Sequence, residues 1–116
     1  MPFGTEMLTL LAMVFCGDWW WGALAGQVLL ATFAFAGSVA CYAIGRRLFS
    51  PLAGWLAAAL YMTTPWVYRL AIIPYAEGAL CFWMAAGLLA VTIGLSVGRN
   101  GWKFWLLAGA MAGAAV

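Results

Sequence analysis

From Trp21 to Gly45 the chain carries no charged residue, and only Gln27, Thr32 and Ser38 are distinctly polar. A helix needs about 20 predominantly apolar residues to cross a bilayer, and this run is longer than that. It stops at Arg46-Arg47. A stretch of this length and composition predicts a membrane span and limits the fold to one built from apolar helices.

The remaining charges fit that reading. Only 7% of the chain is charged and 68% is hydrophobic, where a soluble domain carries roughly a quarter charged residues. The few charges are therefore the informative positions. Arg46, Arg47, Arg99 and Lys103 fall in two short polar breaks, while Glu6, Asp18 and Glu77 fall at the opposite ends of the apolar segments. Lys and Arg are retained on the cytoplasmic side, so the acids are expected outside. The chain has no His, which argues against most zinc sites and a His general base. Cys16, Cys41 and Cys81 form no CxxC pair and read as small packing residues. A net charge of +2 is too small to suggest nucleic acid. No cleavable signal peptide is read, because Glu6 stands where a basic n-region is expected.

The expected fold is all-α, with polytopic transmembrane helices and a short N-terminal interfacial helix. The interfacial helix covers 5–16, with Met7, Leu10, Leu11 and Val14 on its apolar face. Gly17-Asp18 ends it. Trp19-Trp20-Trp21 follows as an interfacial anchor, with sugar stacking as the functional alternative. Spans are expected over 21–45, 51–68 and 77–97. Gly22 and Gly26, one turn apart, permit close helix approach. Ser50 can cap the second span and Pro51 suits its first turn. That span is short and ends in Pro; it either tilts or continues past Pro65 with a kink. Gly98-Arg99-Asn100-Gly101 reads as a turn. The last segment, 102–116, is a truncated span carrying Gly109 and Gly113 at the same close-packing spacing. Its length, about 15 residues against the about 20 required, marks the chain as a fragment of a larger membrane domain.

The most unusual stretch is Pro65 to Glu77, where two prolines bracket Arg69 and an acid follows. One reading is a rim ion pair set in an aromatic belt. The other is a site for an anionic lipid-linked substrate. Arg69 would contact phosphate. Tyr68, Tyr75 and Trp66 would form an apolar or sugar-stacking wall. Glu77 would orient hydroxyls or a cation, or deprotonate an acceptor.

The run Gly45-Arg46-Arg47-Leu48-Phe49-Ser50, then Ala53 to Tyr61, Thr64-Pro65, and Tyr75-Ala76-Glu77 opening another span, resembles the polytopic GT-C glycosyltransferases. The nearest likeness is to the bacterial dolichyl-phosphate-mannose-protein mannosyltransferase-like group, which includes aminoarabinose transferases. Leu107 to Gly113 also resembles the small-residue helix that follows there. The resemblance implies transfer of a sugar from a polyprenyl-phosphate donor to an acceptor on the outer face of a bacterial plasma membrane. Its main catalytic carboxylate would lie in an external loop upstream of Met1, so no catalytic base is named. Pro2 and Glu6 would be the tail of that loop, which adds Glu6 to the substrate-binding candidates. Glu77 matches a second external acid, often Asp in the family, and is the candidate accessory acid. No cofactor site is encoded, although a divalent cation is compatible. The implied partners are membrane lipid, the polyprenyl-phosphate-linked sugar and the rest of the parent polypeptide. Two other readings stay open: a non-enzymatic membrane scaffold, or part of a transporter whose broken helices are marked by Pro65 and Pro74.

Overall fold

The computed structural model describes residues 3–73, 77–98 and 101–115. Among them are six α-helices and no strand: α1 (Phe3–Cys16), α2 (Trp19–Leu48), α3 (Pro51–Thr63), α4 (Pro65–Ile72), α5 (Glu77–Val97) and α6 (Trp102–Ala114). Helix α2 has 30 residues and is about 45 Å long at 1.5 Å per residue. It is the spine of the fold: α1, α3, α4 and α5 all pack on it, and α6 packs on α5. Two helices, α2 and α5, are long and apolar enough to cross a membrane, with mean hydropathies of 1.9 and 2.1.

The interior is built from small side chains. Ala34, Ala40, Ala79 and Ala90 are buried with Leu30, Leu70 and Ser38, beside buried glycines at 22, 26, 37, 45, 54, 78 and 94. The large apolar side chains point outward, among them Phe35, Leu52, Trp55, Leu60, Met84 and Leu106. This is the reverse of a water-soluble core, where large aliphatic residues are the ones most often buried. Small residues let helix backbones approach closely. The α1–α2 and α2–α3 crossings are both close. A Cβ on Gly45 would lie 2.9 Å from the Gly54 Cα, and one on Gly54 would lie 2.7 Å from the Tyr42 carbonyl oxygen.

The segment expected to be an interfacial helix over 5–16 is one arm of a hairpin. Gly17 turns the chain with a φ of 63°, a backbone state that favours glycine. The Asp18 carboxylate then caps α2 by accepting from the Trp20 amide at 3.0 Å. Helix α1 runs back along α2, with Met13 over Gly22 and Thr9 over Gly26. Met7, Leu10, Leu11 and Val14 are all exposed, because the small groove on α2 selects the Thr9–Met13 side instead. Gly109 and Gly113 have no atom within 4 Å of a built Cβ, so their spacing is not used for packing among the described residues.

The segment expected as one helix over 51–68 is two helices. Pro65 has no N–H, and Thr64 is extended (φ −65°, ψ 118°), so the hydrogen-bond ladder breaks there. The two threonines repair the break. Thr63 Oγ1 donates to the Ala59 carbonyl and Thr64 Oγ1 to the Leu60 carbonyl, both at 2.7 Å. Helix α3 alone, with 13 residues, is about 20 Å long. Helix α4 carries the same direction onward by eight residues, so the kinked pair reaches about 32 Å.

Candidate functional site

Helices α2 and α5 run parallel. The Phe33 ring meets Phe82 at 5.3 Å and Trp83 at 6.0 Å, and near the other end Arg47 hydrogen-bonds Ser96. This register places Glu77 at the height of Val28 on α2. The α1 register places Glu6 one turn beyond Thr9, beside Leu29 and Leu30. Glu6 and Glu77 therefore share one level of the bundle. Arg46 and Arg47 lie at the other end, about 28 Å away at 1.5 Å per residue. Lys103 opens α6 near the arginine end, where α6 begins against Gly94. Asp18 lies beyond the Glu77 level, at the tip of the hairpin. Arg99 is outside the described residues.

At the acidic end α4 and α5 enclose a cavity of ≈ 320 Å³ lined by Trp66, Arg69, Leu70, Ile73 and Glu77. That is within the range of small-molecule sites, about 300–1,000 Å³. Helical spacing in α4 brings Trp66, Arg69, Leu70 and Ile73 to one side. Leu70 is buried at 4% exposure and holds α4 down. Its carbonyl would be 3.4 Å from a Cβ on Gly78, so glycine lets the start of α5 approach α4. Arg69 is in the last turn of α4 and Glu77 in the first turn of α5. Each charge opposes the partial charge of its own helix end. Among the described residues, neither side chain makes an ion pair or hydrogen bond. The two charges face one cavity without neutralising each other, which is not the geometry of a rim ion pair.

The structure thus brings together three of the sequence candidates: Trp66, Arg69 and Glu77. Tyr68 is 66% exposed on another face of α4 and does not line the cavity. Tyr75 lies outside the described residues. Glu6 shares the level but is not part of the lining. Leu70 and Ile73 were not singled out from sequence. Reading 65–73 as a helix would have found them, because they continue the three-to-four-residue spacing from Trp66.

Chemically, the cavity offers one guanidinium fork, one carboxylate, one indole and two aliphatic walls. It suits an anionic group with an apolar or sugar portion attached. Among the described residues no three His, Cys, Asp or Glu side chains gather as metal ligands. Comparison with protein-family models, curated proteins and solved structures found no match.

Proposed function

We propose that this chain is a membrane-spanning part of a glycosyltransferase that moves a sugar from a polyprenyl-phosphate donor on the extracytoplasmic face, with the Arg69–Glu77 cavity receiving the donor's phosphate. The observation that carries the reading is a pair of charges that have no ion-pair or hydrogen-bond partner among the described residues, in a cavity of ligand size. In this reading α2, the kinked α3–α4 pair and α5 cross the bilayer. The distance between the Glu77 level and Arg47, about 28 Å, suits a hydrocarbon core of about 30 Å. The outward-facing large apolar side chains then meet lipid. Thr63 and Thr64 satisfy carbonyls that no water would reach. The basic end faces the cytoplasm of a bacterial plasma membrane. The GT-C resemblance supplies the substrate class, and the main catalytic acid is expected elsewhere in the parent polypeptide.

Arg69 would bind phosphate through two parallel N–H donors, while Trp66, Leu70 and Ile73 hold the first isoprene units or the sugar face. Glu77 would orient a sugar hydroxyl or take a proton from the acceptor. The test is binding of a polyprenyl phosphate to the 116-residue chain in detergent micelles. A charge-assisted hydrogen bond contributes about 1.5–3 kcal/mol, so Arg69→Ala should weaken binding roughly tenfold to hundredfold. Arg69→Lys should recover part of the loss, since a point charge replaces a planar fork. Equal affinity in all three proteins would remove the reading.

A further inference from the structure

The opposite end of the bundle holds a second charged cavity, which the proposed sugar transfer does not use. It measures ≈ 420 Å³ and is lined by Tyr42, Ala43, Arg46, Arg47, Leu89 and Ile93. It lies between the parallel helices α2 and α5. One part of its wall is aliphatic, from Ala43, Leu89 and Ile93. The other carries two guanidinium groups and a phenol.

Arg47 is held in place. Its Nε and Nη2 both donate to Ser96 Oγ, at 3.2 and 2.6 Å, and Ser96 Oγ donates to the Ile93 carbonyl at 2.8 Å. Among the described residues Nη1 has no partner, and the two bonds fix the plane of the fork. Arg46, one residue earlier, makes no ion pair or hydrogen bond among the described residues. No acid compensates the two charges locally, since Glu77 is about 28 Å away along α5. Both bases complement the negative end of α2, but that role asks for neither a cavity nor a serine clamp.

We infer that this cavity binds the headgroup phosphate of an anionic phospholipid of the cytoplasmic leaflet, with an acyl chain along the Ala43–Leu89–Ile93 groove. Charge complementarity selects an anion, and basic pockets between spanning helices on the cytoplasmic side are suited to anionic headgroups. The aliphatic wall selects a lipid over a free phosphate, which would leave that wall without a partner. The inference rests on the membrane-spanning reading and is independent of the sugar donor.

The test is native mass spectrometry of the full chain in mild detergent with equal amounts of phosphatidylglycerol and phosphatidylcholine. Phosphatidylglycerol should be retained preferentially. A basic residue near the surface contributes about fivefold, so Arg46→Gln with Arg47→Gln should reduce retention about 25-fold. Lys103→Gln removes a charge at the same end but outside the cavity and should change little. Leu89→Trp keeps every charge and fills the groove; it should reduce retention at unchanged helicity, with Ile93→Trp as a second plug should the first not fold. Arg69→Ala should leave retention unchanged, which separates this site from the outer one. Equal losses from Lys103→Gln and the double Arg variant would overturn the inference, as diffuse charge would then suffice. Full retention in a folded plug variant, or equal competition by soluble glycerol phosphate, would overturn it as well. Failure of the chain to insert into phosphatidylcholine bilayers would overturn the membrane reading instead.

Discussion

Arg69 and Glu77 line one cavity at the end of α4 and α5 yet form no ion pair with each other. The sign of the Glu77→Gln effect follows. Removing a negative charge from an anion-binding cavity should leave polyprenyl-phosphate affinity unchanged or raise it, while Arg69→Ala lowers it. In the proposed transferase the same Glu77 variant should lower turnover, because a carboxamide cannot accept a proton. Parallel losses of affinity in the two variants would indicate that Glu77 positions Arg69 directly.

The α2–α3 crossing predicts a different kind of sensitivity. A Cβ on Gly54 would sit 2.7 Å from a backbone oxygen, and backbone cannot rotate away. Gly54→Ala should destabilise the chain by about 1–3 kcal/mol, the usual range for overpacking. Gly109→Ala meets open space and should be neutral or gain up to about 1 kcal/mol from helix propensity. Thermal melts in detergent would check both.

The kink at Thr64 predicts that two hydroxyls are structural. Thr64→Val leaves the Leu60 carbonyl without the donor it has at 2.7 Å. The Thr63 hydroxyl also reaches that carbonyl, at 3.3 Å, so the loss is that of one hydrogen bond, about 0.5–1.5 kcal/mol. Loss of stability in Thr64→Val, with Thr64→Ser close to wild type, is the expected pattern in the same melts. Equal stability of the valine and serine variants would mean that the hydroxyl is dispensable.

Much of the helix layout was legible from residue types. Ser50 caps α3 as read, and the glycine pair at 22 and 26 accepts a neighbouring helix; Asp18, read only as the end of α1, also caps α2. What was not legible was which neighbour takes which face. The apolar stripe of α1 was readable from the sequence, but not that the Thr9–Met13 side packs on α2. A hydrophobic stripe does not say whether protein or lipid will cover it. The length of the second span was also hidden. Whether that span tilts or continues past Pro65 with a kink was left open by the sequence; it continues as α4, with the threonine hydroxyls bonded at the break and Leu70 packed below. Once α4 is a helix, Arg69 rises to the level of Glu77, and the two candidates paired in the sequence line one cavity.

Everything in the account depends on which end of the bundle faces outside. Cys16 is exposed at the hairpin tip, while Cys41 and Cys81 are half-buried, so a membrane-impermeant maleimide on intact cells has one native outer target. The account predicts that Cys16 labels from outside, and that Cys16→Ser abolishes the signal. Adding Ser50→Cys to Cys16→Ser should restore labelling only after the membrane is permeabilised. Labelling of Ser50→Cys on intact cells would place the arginine end outside and contradict the membrane reading, the proposed donor site and the proposed phospholipid site together.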